Sequence, residues 1–287
     1  MPNNVRNNVT LIGSVDEITK FWQMFDVSKS SNIEDRLTKT SRKIQVDEDA
    51  PAYKFELDFN KIIPRSEELE IESDGLVMYL ESCYGMNHNF QQKIMSTPRA
   101  ILDSLNAQTI YEFVRQSCPS DIAFSITQDL DRVEDDSRNN FCKAIRNYRK
   151  YGYATWYHWS CNYWGTKWNS YNQARTSENA FSFDTAWAHP FPIMIELSKL
   201  FSTIVFRVKY ADEDIGRNLG HYTIQSGIIT YRDDFEVGNP EAQRFACEVH
   251  GYDYEALMAE RLAEQKSDED YLASNSTPKP LDSVVKQ

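Results

Sequence analysis

The sequence predicts an α+β fold: two halves of a β-α-β-β-α-β sandwich, split by a helical insertion and followed by a C-terminal helix. Three observations predict it. Short runs with apolar residues at every second position occur near residue 55 and again between residues 181 and 231, the pattern of half-buried strands. Amphipathic helices with 3- and 4-residue apolar spacing follow the first strand and divide the later ones. Between the two groups, residues 73–150 read as mainly helical.

Val9-Thr10-Leu11-Ile12 reads as the first strand, ending at Gly13. Ser14 caps the next helix and Glu17, three residues on, completes a capping box. Ile18, Phe21, Trp22 and Phe25 recur along that helix as its buried face. Residues 28–50 are polar, lack periodicity and read as a loop or mobile segment. Tyr53, Phe55, Leu57 and Phe59 alternate with Lys54, Glu56 and Asp58, predicting a strand that Pro64 stops. In the insertion, Thr97-Pro98 opens a helix carrying Ile101, Leu102, Leu105, Ile110 and Phe113. A second runs from Asp135 to Lys150, with Gly152 as its C-terminal cap.

Phe181 and Phe183 mark a strand leading to Trp187; Pro190 and Pro192 break it, and Ile193 to Phe201 follows as a helix. Thr203 to Tyr210 is a strong strand, and Tyr222–Gln225 with Ile228–Tyr231 form a hairpin about Ser226-Gly227. From Pro240 the chain reads as helix to about Lys266. The expected organisation is an α+β domain of residues 1–65 and 155–232, an insertion at 73–150, an acidic helix at 233–266 and a disordered tail at 267–287.

Composition narrows the function classes. Apolar residues make up 41% and charged residues 26% of the 287, ordinary for a globular chain. No apolar run approaches a membrane span, and the first residues lack a signal-peptide pattern. Five scattered cysteines, Cys83, Cys118, Cys142, Cys161 and Cys247, argue against a disulfide framework and for the cytoplasm. Of the net charge of −12, residues 233–287 carry −8, from 13 acidic and 5 basic side chains. Such a region repels phosphate backbones and favours basic partners, although its plain reading is a solvated helix and tail.

Four segments resemble a known family. They are Met1-Pro2-Asn3 leading into Val9-Thr10-Leu11-Ile12-Gly13, Phe59-Asn60-Lys61-Ile62-Ile63-Pro64, Tyr163-Trp164-Gly165-Thr166-Lys167-Trp168, and Phe183-Asp184-Thr185-Ala186-Trp187 with Pro190 and Pro192. Together they are similar to the YubB-type (Api-ninety-two-like) phage and plasmid proteins with a ferredoxin-like domain. The resemblance spans roughly residues 1–65 and 155–232. It implies a ferredoxin-like sandwich, a topology that needs no iron–sulfur centre; no cluster-binding cysteine spacing is present. It also implies residence in the cytoplasm of a bacterial host. It carries no established activity.

Five of the six tryptophans lie between Trp156 and Trp187, and residues 151–191 hold 13 aromatics in 41 positions. Such density is either a core wedge or a stacking platform, in which Trp164, Gly165, Thr166, Lys167, Trp168 and Trp187 meet a base, a sugar or a partner's side chain. Upstream, residues 137–151 contain five basic and no acidic side chains. Lys143, Arg146 and Lys150 form one stripe of that helix, and Phe141, Ile145 and Tyr148 the opposite, buried one. A basic stripe leading into aromatics is how single-stranded nucleic-acid sites are built; the plain alternative is a solvated helix face. His158-x-x-Cys161 and Cys247-x-x-His250 have local zinc-ligand spacing, but such pairs arise readily by chance. No Walker A loop, Gly-x-Gly-x-x-Gly, His-Glu-x-x-His or Gly-x-Ser-x-Gly occurs. His189 and His221 read as structural, and Asp184 and Glu196 as no acid–base pair.

The leading expectation is an accessory protein of a phage or plasmid that binds a host macromolecule, foremost a host protein, with inhibition of a host defence system as one version. The second is a single-stranded nucleic-acid binder using Lys143, Arg146, Lys150, Trp164, Lys167 and Trp168. An enzyme of unknown class is the third, weighted lowest. No cofactor or metal is expected, and self-association is left open.

Overall fold

A computed structural model of the chain describes residues 3–26, 55–86, 88–233 and 235–275. Strand β1 (Asn4–Ile12) leads through the Ser14–Glu17 capping box into helix α1 (Val15–Phe25). Among the described residues, six helices follow before the aromatic cassette: α2 (Gly75–Met86), α3 (His88–Ser96), α4 (Arg99–Asp103), α5 (Ile110–Ser117), α6 (Ser120–Asp131) and α7 (Asp135–Tyr151). The cassette opens with α8 (Trp156–Tyr163). Then come β2 (Tyr171–Ser177), β3 (Ala180–Ala186), α9 (Phe191–Leu200), β4 (Val205–Asp212), β5 (Gly220–Gln225) and β6 (Ile228–Asp233). Two helices close the described chain, α10 (Pro240–His250) and α11 (Tyr254–Asn275).

The strands form one antiparallel sheet in the order β2-β3-β1-β4-β5-β6. Its first four strands, with α1 and α9 as connections, make the ferredoxin-like split β-α-β arrangement; β5 and β6 extend it. β1 is central because its register joins both neighbours, with Asn7 opposite Phe183 on one side and Tyr210 on the other. Val5, Asn7, Val9 and Leu11 alternate inward. Val9 and Leu11 meet Phe21 and Phe25 of α1, Phe181 and Phe183 of β3, and Ile193, Met194 and Leu197 of α9 in one buried cluster. α10 lies on the opposite face, where Ala246, Cys247 and Val249 bury Ala211 and Asn8 Nδ2 donates to the Val249 carbonyl at 2.8 Å.

The helices of residues 75–151 enclose a second cluster. α7 runs through it, burying Phe141, Cys142, Ala144, Ile145 and Tyr148 against Leu80, Phe90, Leu102 and Val114. Gly152 ends α7 at φ 77°, the left-handed conformation expected of a C-terminal cap.

The predicted strand from Tyr53 to Phe59 is not a strand of the sheet. Tyr53 and Lys54 lie outside the described residues, and Phe55 makes a single bridge to Asp26. Beyond it, side chains next to and within β2 replace a ladder. Phe59 N–H donates to Asn169 Oδ1 at 2.9 Å, Leu57 N–H donates to Gln173 Oε1, and Ser170 Oγ donates to the Leu57 carbonyl. Residues Phe59–Lys61 then turn as a 3₁₀ helix. The second strand of the sandwich is β2, which shows no apolar alternation (Tyr-Asn-Gln-Ala-Arg-Thr-Ser) because it is an exposed, bulged edge.

β1 begins at Asn4, earlier than its apolar residues suggest. The hairpin turn is as predicted, with Ser226 at φ 51° and Gly227 at 79°, both left-handed as a type I′ turn requires. The C-terminal helix is two helices, parted at Gly251 (φ 75°). α11 continues through Asn275, so residues 267–275 are helical where a tail was expected; residues 276–287 and the loop expected at 28–50 lie outside the described residues. Among those described, no helix is long and apolar enough to cross a membrane.

Candidate functional site

The cassette divides into an inward and an outward half. Trp164 is 1% exposed and meets Phe59 and Trp159 edge-on at 5.7 Å. Its indole N–H donates to the Ile63 carbonyl at 2.9 Å. The guanidinium of Arg65 lies 4.6 Å from the ring and is itself held by Ser160 Oγ at 2.7 Å and by Glu70. A ring so enclosed stacks on its own chain's arginine, not on a ligand. Gly165 follows at φ 78°, and Thr166, 2% exposed, donates to the Ala186 carbonyl at 2.7 Å. That bond ties the cassette to the end of β3.

The outward half begins one residue later. Lys167 and Trp168 are half-buried, and the Lys167 ammonium sits 4.7 Å from the Trp168 ring and 5.5 Å from Tyr157. Trp187, just past β3, is 52% exposed. Its backbone adopts φ 71°, uncommon for a bulky side chain. The conformation is over-determined: its N–H donates to the Asn3 carbonyl at 2.9 Å and its carbonyl accepts from Asn218 Nδ2 at 3.1 Å. Backbone strain held in this way at a surface aromatic makes Trp187 a candidate contact residue.

Lys143, Arg146 and Lys150, the basic stripe of α7, are placed differently from one another. Lys150 Nζ reaches both oxygens of Glu68 at 2.8 Å, and the Lys150 and Tyr151 hydrogen bonds hold the Glu68 carboxyl below its usual range. Arg146 Nη1 donates to the carbonyls of Leu102 (3.3 Å) and Leu105 (3.1 Å) at the end of α4. Lys143 is exposed and touches only Asn140 Oδ1, at 3.3 Å, among the described residues. The two cysteine–histidine pairs do not make a metal site. His158 faces Glu81 at 3.7 Å, His250 Nε2 bonds the Asp212 carbonyl, and Cys247 is buried on α10 in the cluster with Ala211. No metal-ligand cluster of three or more groups occurs among the described residues.

Sequence reasoning missed the polar centre of the sheet. Asn7 is fully buried, and its Nδ2 donates to the Val5 carbonyl at 2.9 Å and to Thr185 Oγ1 at 3.1 Å. Its Oδ1 therefore accepts from His189 Nδ1 at 2.6 Å, leaving Nε2 to accept from the Tyr222 hydroxyl at 2.6 Å. The imidazole is neutral, and burial lowers its pKa from 6.5 to about 3. An unfolded chain takes up this proton below pH ~6.5 and the folded one only near 3, so stability falls as pH drops through that window. The expected slope approaches about 1.4 kcal/mol per pH unit. Urea titrations of wild type and His189→Gln between pH 4 and 7 check it: the difference between the two curves carries the slope, and parallel curves refute it. The one signal in the sequence was an asparagine at an inward position of β1.

On the opposite face, Arg6 Nε pairs with Asp184 Oδ1 at 2.8 Å, and Asn172 Nδ2 donates to Oδ2 at 2.9 Å. Burial raises the Asp184 pKa against both of these partners.

Residues 163–253 match a family model described as the ferredoxin-like domain in Api92-like protein. This region, about a third of the chain, is thus similar to the ferredoxin-like domain of Api92-like proteins. It opens inside the cassette and closes after α10, so it takes in Trp164 to Trp168, Trp187 and strands β2 to β6; β1 and α1 complete the sheet from outside the matched span. A crystal structure of a protein api92 from Yersinia pseudotuberculosis aligns over 83% of this chain and 100% of that one, at 12% identity and a TM-score of 0.34. No curated protein matches.

Proposed function

We propose that this protein, as an accessory protein of a phage or plasmid, acts by binding a protein of the bacterial host, with Lys167, Trp168 and Trp187 at the contact. Inhibition of a host defence system is one form such binding takes. The observation that carries the reading is Trp187, half exposed at φ 71° and tied at both backbone groups. An aromatic fixed in the solvent costs little further ordering when a partner covers it, which is why Trp is enriched at binding hot spots. The Lys167 ammonium between two rings adds a cation for a carboxylate or carbonyl of the partner. The Api92-like match and the acidic C-terminal region support the reading from the side of sequence.

The test is affinity capture from host lysate with wild type and Trp187→Ala. A stoichiometric partner is expected for wild type, reduced at least tenfold by the substitution. The folding stability of Trp187→Ala is expected to stay within about 1 kcal/mol of wild type, because half of the ring is already in water. Absence of any stoichiometric partner, or equal capture by both proteins, refutes the proposal.

A further inference from the structure

Away from the cassette, an open groove of about 710 Å³ runs between α7, α4 and the 3₁₀ turn Glu67–Leu69. Its walls carry five cations, Arg99, Lys143, Arg146, Arg149 and Lys150, and four carboxylates, Glu67, Glu68, Glu70 and Asp103. Three of the carboxylates are already engaged: Glu68 with Lys150, Glu70 with Arg65 and Asp103 with Arg99 at 3.5 Å. Arg146 is oriented by carbonyls alone. Among the described residues, Lys143 and Arg149 meet no carboxylate and are exposed. The groove thus keeps three cations, Lys143, Arg146 and Arg149, against one uncommitted carboxylate, Glu67, in a chain of net charge −12.

Among the described residues no aromatic ring lines it, so these offer no face for stacking a base. Its volume falls in the small-molecule range of about 300–1,000 Å³. We propose that this groove binds a compact polyphosphate, free or carried on a nucleotide, through Lys143, Arg146 and Arg149. Guanidinium groups suit the task because their fixed forks match phosphate oxygens two at a time, and Arg146 is held in place by the end of α4.

Calorimetric titration of the full chain with inorganic tripolyphosphate in about 50 mM salt tests this. Saturable one-to-one binding is expected, at least tenfold weaker in Arg149→Glu and weaker still in Lys143→Glu/Arg149→Glu. Lys93→Glu, an equal charge change on α3, is expected to bind like wild type. A nucleoside triphosphate binding as tightly as tripolyphosphate assigns the site to the phosphates alone, and one binding more tightly assigns it to a nucleotide; both support the proposal. No saturable binding, or equal loss in Lys93→Glu, overturns it. So does a single-stranded oligonucleotide that binds more tightly than tripolyphosphate and is lost in the same variants, since a nucleic-acid backbone would then be the occupant.

Discussion

Replacing Trp164 by Ala is expected to destabilise the fold by about 4–6 kcal/mol, measured as the shift in a urea unfolding midpoint at constant slope. Removing a buried indole costs about 3–5 kcal/mol in lost transfer energy and cavity. The Ile63 carbonyl then loses its donor, adding about 1 kcal/mol. Arg65 also loses the ring it lies against, while its bonds to Ser160 and Glu70 stay. Since whole domains are held by only about 5–15 kcal/mol, the variant sits at the margin of folding. Trp164→Phe is expected to recover roughly half of the loss, because it refills the ring space without the N–H. If Trp164→Ala unfolds within about 1 kcal/mol of wild type, the indole is not the packing centre proposed here.

Gly165→Ala is the second large effect, expected at about 2–5 kcal/mol by the same measurement. The residue stands at φ 78°, where a Cβ costs about 1–2 kcal/mol. The added carbon would also lie 2.6 Å from Pro192 Cδ and 3.4 Å from the His189 carbonyl. Pro192 sits in the first turn of α9, its ring cannot rotate away, and overpacking of this kind costs about 1–3 kcal/mol. Gly165→Ala and Trp164→Ala together are expected to lose less than the sum of their separate effects, since neighbours in one packed unit couple. A fully tolerated Gly165→Ala would mean that the approach of α9 to the cassette is slack.

What was legible in the sequence follows from burial. β3, β4, α1 and α9 bury apolar faces against one another, and their residues announce it with clean periods. The same holds for the two faces of α7, where Phe141, Ile145 and Tyr148 are interior. β2 was hidden because an exposed edge has no reason to alternate, and Phe55 to Phe59 misled because an extended segment tucked beside an edge buries the same alternate side chains as a strand. The site divided in the same way. Density of aromatics located the cassette, but whether each ring turns inward depends on partners far along the chain: Ile63 and Arg65 for Trp164, Asn3 and Asn218 for Trp187. Spacing within the cassette contains none of that. The Asn7–His189–Tyr222 chain was beyond reach for the same reason, since its three members come from β1, the β3–α9 turn and β5.

The central place of β1 has a consequence for biogenesis. The contact between Asn7 and Phe183 spans 176 positions of the chain, so at roughly 5–20 residues per second the ribosome delays that pairing by about 9–35 seconds. The intervening helices make contacts at shorter range and are free to condense during the wait. The segment of β1 meanwhile presents unpaired backbone groups along both edges, with Val5, Val9 and Leu11 uncovered, a form open to chaperone capture or to mispairing with a neighbouring nascent chain.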